Sequence, residues 1–118
     1  MTNANIGALA FNQQALISPQ INGGTLGFSL GTVSTQVLPI NPQRQKVTFH
    51  NPGTIVIYVC QALDSNGGAL VAGANPGNWQ IFPGGLLIFT GNGAGGAWLA
   101  AAASASGNPF TVAESQTP

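Results

Sequence analysis

Gly91, Gly93 and Gly96 stand at the spacing Gly-x-Gly-x-x-Gly directly after the apolar run Leu86-Leu87-Ile88-Phe89, and Glu114 follows them. In a strand-turn-helix unit such glycines admit a pyrophosphate to a helix N-terminus, and an acidic residue about 20 positions further on holds a ribose hydroxyl. Ala100 and Gly107 suit the flavoprotein form of the same pattern. Two things oppose this reading. The parallel strands that should follow the motif are missing after Glu114, and the residues before it show little helical periodicity from which crossover helices could form. The stretch therefore reads as a glycine-rich hairpin loop between two antiparallel strands, with no nucleotide cofactor.

Other catalytic constellations fail on number. The chain has one His, one Cys, two acidic and two basic residues. His50, Cys60, Asp64 and Glu114 make no recognisable zinc cluster, and no two carboxylates lie close enough in sequence to suggest acid/base work. His50 and Asp64 could join a serine in a triad only through tertiary approach, so a surface or interface histidine is the expectation. Cys60 lies in an apolar run and reads as a buried, inert thiol; alone, it forms no internal disulfide. Trp79, Trp98 and Tyr58 could stack on sugar rings or pack a core, and core packing is the expectation for so few aromatics. The residue types thus predict neither an enzyme nor a metal site.

The elements that hold these residues read as strands. In Arg44-Gln45-Lys46-Val47-Thr48-Phe49-His50, period-two alternation puts Arg44, Lys46, Thr48 and His50 on a polar face and Val47 and Phe49 on an apolar one. Asn51-Pro52-Gly53-Thr54 then suits a type II turn, with Pro at its second position and Gly at its third. Beyond it Ile55, Ile57 and Val59 share one face and Val56, Tyr58 and Cys60 the other, so both faces call for cover. The turn makes either a hairpin or an arch between two sheets. The cover is either a second sheet or another chain. Arg44 and Lys46 mark the side that stays wet or meets polar groups of a partner, and Ile55 and Ile57 belong to a core or a subunit interface.

Further strand-length segments lie at 26–38, 78–82, 86–90, 97–103 and 110–114. They are separated by turn chemistry such as Asn41-Pro42, Asn66-Gly67-Gly68, Asn75-Pro76-Gly77, Pro83-Gly84-Gly85 and Asn108-Pro109, the rhythm of an all-β sandwich. The segment Ala97-Trp98-Leu99-Ala100-Ala101-Ala102-Ala103 has helix propensity. As a strand it would put Trp98, Ala100 and Ala102 on one face and Leu99, Ala101 and Ala103 on the other, and the strand is preferred. Residues 1–24, rich in Asn, Gln and Ala with Phe11 and Ile17 as apolar contacts, read as an extended N-terminal arm; residues 25–118 form the β-sandwich domain.

Composition narrows the function. Only 3% of the 118 residues are charged, against about 25% in an ordinary soluble domain. Such a surface associates unless it is covered, which predicts an assembly. Two cations are too few for direct nucleic-acid binding. No secretory signal is expected from the first residues, and no apolar run reaches the roughly 18 residues of a membrane helix.

Three stretches carry a resemblance: Arg44-Gln45-Lys46-Val47-Thr48-Phe49-His50-Asn51-Pro52-Gly53 leading into the Ile55 to Val59 run, the Phe82-Pro83-Gly84-Gly85 turn, and Gly95 through Glu114. In that order they resemble small bacteriophage virion proteins, the capsid decoration or cement proteins of jelly-roll type. The resemblance covers about two-thirds of the chain and leaves the arm out. It implies an antiparallel, jelly-roll-like β-sandwich, homotrimers seated on the virion surface against a major capsid protein, synthesis in the host cytoplasm, and no catalytic residues. Phe11, Ile17, Arg44, Lys46, Ile55 and Ile57 are the candidate interface residues. The alternative is a carbohydrate- or receptor-binding β-sandwich of a phage tail or fibre, with Trp79 or Trp98 exposed.

Overall fold

A computed structural model describes residues 24–116. Phe11, Ile17 and nearly all of the expected arm lie outside the described residues. The described chain is all-β, with strands β1 (Gly24–Leu30), β2 (Thr35–Leu38), β3 (Arg44–His50), β4 (Ile57–Gln61), β5 (Trp79–Ile81), β6 (Leu86–Thr90), β7 (Trp98–Ala102) and β8 (Asn108–Gln116). They form two four-stranded antiparallel sheets, ordered β1-β8-β3-β6 and β2-β7-β4-β5, packed as a sandwich. The 26–38 segment is two strands rather than one: the chain leaves the first sheet after Leu30 and enters the second at Thr35.

Alternation explains the core. Val47 and Phe49 on β3, Phe110 and Val112 on β8, and Leu30 on β1 point inward from the first sheet. Ile57 and Val59 on β4, Ile81 on β5, and Trp98, Ala100 and Ala102 on β7 meet them from the second. Full burial of each large side chain contributes roughly 1.5–3 kcal/mol. The alanine-rich segment is a strand with the expected facing, because burial on both faces overrides helix propensity. Small side chains on β7 leave room for the aromatic rings of Phe49, Phe89 and Trp98, which pack at centroid distances near 5 Å.

The turn after β3 is an arch, since β3 and β4 belong to different sheets. Gly53 does not adopt the positive φ of a type II turn. The Asn51 side chain organises the bend instead. Its Oδ1 accepts the Gly53 N–H at 3.1 Å, and its Nδ2 donates to the carbonyls of Ile55 at 2.8 Å and Ile81 at 2.9 Å. The Asn51 N–H donates to the Gly85 carbonyl, while its own carbonyl accepts the Gly84 N–H, so this buried residue joins the bend to the β5–β6 turn.

Both faces of β4 are covered within the chain. Ile57 and Val59 face the core, and Ile55 packs against it. On the other side Cys60 and Ala101 are buried beneath Leu70 and Ala72, which come from the 62–78 connection between β4 and β5. Burial raises the Cys60 thiol pKa by penalising the thiolate.

Candidate functional site

Three regions bring together the residues singled out from sequence. The first is built on Arg44. Between Arg44 and Lys46 the β3–β8 register slips by one residue, so Gln45 forms a bulge. The slip turns the Arg44 side chain inward, out of alternation with Lys46. Arg44 is therefore not on the polar face with Lys46, Thr48 and His50; it is only 2% exposed. Its Nε donates to Glu114 Oε1 at 2.8 Å, Nη1 donates to the carbonyls of Ala94 at 3.0 Å and Gly96 at 2.9 Å, and Nη2 donates to the Pro39 carbonyl at 2.9 Å. Four of the roughly five guanidinium donors are thus engaged inside the chain. Ile57 is also internal. Of the candidate interface residues described, only Lys46 is freely exposed, with Ile55 half-buried.

The glycine motif and Glu114 converge on that guanidinium. Gly91–Gly95 forms a single 3-10 turn that carries the chain from β6 in one sheet to β7 in the other. The expected hairpin loop is thus corrected to an inter-sheet crossover. Gly91 takes a positive φ of 79° as the chain leaves β6, and a side chain at Gly95 would stand 3.0 Å from the Asn41 carbonyl. The glycines serve a turn and a close backbone approach, and the turn's carbonyls bind Arg44 and, through Ala94, the Trp98 indole N–H at 3.3 Å.

The second region is the outer face of the first sheet. Lys46, Thr48 and His50 on β3 pair there with Thr90, Ile88 and Leu86 on β6. On the other side of β3 they meet Ser115, Ala113 and Thr111 of β8. Leu86 is 62% exposed and Ile88 51%, and both belong to the edge strand of the sheet. Lys46 is the sole formal charge on this face among the described residues. His50 and Asp64 are in different regions: His50 lies on this face, whereas Asp64 lies in the 62–78 connection.

The third region is a groove of about 280 Å³ at one end of the second sheet, where Gln61, Asp64, Ser65 and Leu70 meet Trp79. Trp98 is fully buried, which leaves Trp79, 42% exposed, as the tryptophan at the surface. Trp79 and Asp64 stand out separately in the sequence, but their meeting and the place of Gln61 in the same groove do not. Nothing in local spacing reveals it, because the 62–78 connection has to fold back before these side chains share a wall.

Among the described residues, no group of three or more His, Cys, Asp or Glu side chains could hold a metal ion, and no helix is long and apolar enough to cross a membrane. No family model matches the chain, and no curated protein or solved structure matches it.

Proposed function

We propose that this chain is a structural subunit of a bacteriophage virion that decorates or cements the capsid shell. The observation that carries the reading is the outer face of the first sheet, where one formal charge accompanies the exposed Leu86 and Ile88 of an edge strand. Edge strands in free-standing proteins are commonly protected by charge, proline or cover, and β6 has no charge or proline of its own. A neighbouring subunit covers this strip, and copies associate as homotrimers against the major capsid protein.

Two further points support the reading. Eight strands in two packed antiparallel sheets, ordered β1-β8-β3-β6 and β2-β7-β4-β5, suit the jelly-roll reading that the resemblance implies, an architecture used in viral capsid and lectin domains. Fold alone does not assign function, so the choice of virion rests on the sequence resemblance and the scarcity of charge. A subunit repeated over a shell needs only weak individual contacts, because each attachment raises the effective concentration for the next. The shell surface also requires no catalytic residues of the chain.

The test is co-sedimentation of the purified full chain with shells assembled from a major capsid protein encoded in the same genome. Saturable attachment is expected, largely unchanged between about 0.1 and 1 M salt because screening acts on charges and this face has few. Shells carrying the subunit should withstand higher temperature than bare shells. Protein that stays in the supernatant at every ratio contradicts the proposal.

A further inference from the structure

We infer that the groove beside Trp79 binds a single neutral pyranose ring, with the indole as its stacking platform. This goes beyond the shell role and does not depend on it.

Trp79 occupies an inward-pointing position on β5, opposite Val59, but β5 is an edge strand and the ring reaches the rim of the sandwich. Its orientation is fixed from behind. Phe89 meets it edge-on at 4.8 Å and 65°, and Trp98 lies at 6.2 Å. The stack continues from Trp98 to Phe49 at 5.1 Å and from Phe49 to Phe110 at 5.9 Å. The half-exposed indole is therefore anchored to the centre of the core, and little freedom remains to be lost when a ligand arrives. An aromatic face held in this way offers a flat apolar surface to the C–H side of a sugar.

The polar walls supply the other half of the recognition. Gln61 Nε2 donates to the Gly93 carbonyl at 2.6 Å, which holds the amide in place and leaves its oxygen as an acceptor. Asp64 Oδ1 accepts the N–H groups of Asn66 at 2.9 Å and Gly68 at 2.8 Å. The carboxylate is held by these bonds while Oδ2 lies where a side chain on Gly68 would come within 2.9 Å, so the missing Cβ makes its space. Ser65 adds a hydroxyl. Acceptors of this kind suit a ligand with several O–H donors.

Size and charge restrict the choice. Pockets for drug-sized molecules begin near 300 Å³, so 280 Å³ accommodates one ring rather than an extended chain. Asp64 is the one charged group in the lining, which disfavours acidic sugars. An organic cation would be attracted to Asp64 and the indole, but cages for such cations enclose them with several aromatic faces, and here the remaining walls are amide, hydroxyl and leucine. The chemistry left is that of a neutral hexose.

Saturation-transfer NMR on the full chain, without any shell, tests this with the methyl glycosides of glucose, galactose, mannose and N-acetylglucosamine, and with choline as a control. At least one glycoside should receive saturation on its ring C–H protons, with a Kd of about 1 mM, the weak affinity suited to one ring. Trp79→Ala should weaken that binding at least tenfold, and Gln61→Ala, which alters a rim side chain without touching the aromatic stack, several-fold. Asp64→Asn keeps the Oδ1 acceptor and should also weaken binding several-fold. Transfer to choline alone, transfer to no glycoside, or an affinity unchanged in Gln61→Ala and Asp64→Asn overturns the inference, even if Trp79→Ala fails to fold.

Discussion

The Arg44 node and the Leu86–Ile88 strip invert the usual placement of side chains. At the node, two of the chain's four acidic and basic residues form a 2.8 Å ion pair beneath a glycine turn, with Arg44 buried and Glu114 partly so. On the strip, leucine and isoleucine stand more than half exposed on an edge strand with no charge of its own. The contrast shows what each kind of residue does here. The Arg44–Glu114 pair fixes connections internally, because Arg44 can join Pro39, Ala94, Gly96 and Glu114 where no neutral side chain has enough donors in one plane. Apolar residues on the outside supply, in the proposed assembly, the surface for a neighbour. Asn51 and Asn108 extend the internal pattern at the ends of strands, each binding two backbone carbonyls through its amide nitrogen.

The largest effect that separates the two regions should come from Arg44→Ala. Removing the guanidinium takes its donors from Glu114 and from the carbonyls of Pro39 and Gly96, while the Ala94 carbonyl keeps the Trp98 N–H, and should lower stability by about 3–5 kcal/mol, the range for breaking one side of a buried pair. Urea denaturation measures it, and a loss below about 1 kcal/mol, as at an exposed pair, would remove the node from the account. Arg44→Lys should recover only part of the loss, since an ammonium cannot reproduce the planar fork.

A smaller effect is expected at the opposite bend. Asn51→Ala removes the acceptor of Gly53 and the donor of Ile55 and Ile81, and should cost about 2–3 kcal/mol, given roughly 1–3 kcal/mol for leaving a buried polar group unpaired. The same denaturation assay reads it. If Asn51→Ala proves as stable as the parent, Pro52 and Gly53 hold the arch and the amide is incidental.

How far these regions were legible in the sequence depends on whether alternation alone governs them. Val47 and Phe49 against Lys46 and Thr48, and Trp98, Ala100 and Ala102 against Leu99 and Ala101, follow from period two and lie as the sequence predicts. Arg44 does not, because the bulge at Gln45 is a register slip between β3 and β8, distant strands whose alignment no single segment encodes. The bend after His50 reads as a turn from Asn51-Pro52-Gly53, yet the Asn51 side chain shapes it through bonds to Ile55 and Ile81, the latter 30 residues away. The apolar face of Cys60 predicts cover from a sheet or another chain, and the cover comes from Leu70 and Ala72 of the chain's own connection. The glycine motif matches a pattern of chemistry, but its turn joins two sheets and its carbonyls bind Arg44.

The most direct test of the central claim, that the uncharged strip is an assembly surface, is sedimentation velocity of the full chain beside its Leu86→Lys/Ile88→Lys variant across a concentration series. Both side chains are exposed, so the substitutions should leave stability within about 0.5 kcal/mol. The parent should sediment as a trimer and the variant as a monomer. A parent that remains monomeric at every concentration, or a variant that still forms the same trimer, contradicts the account.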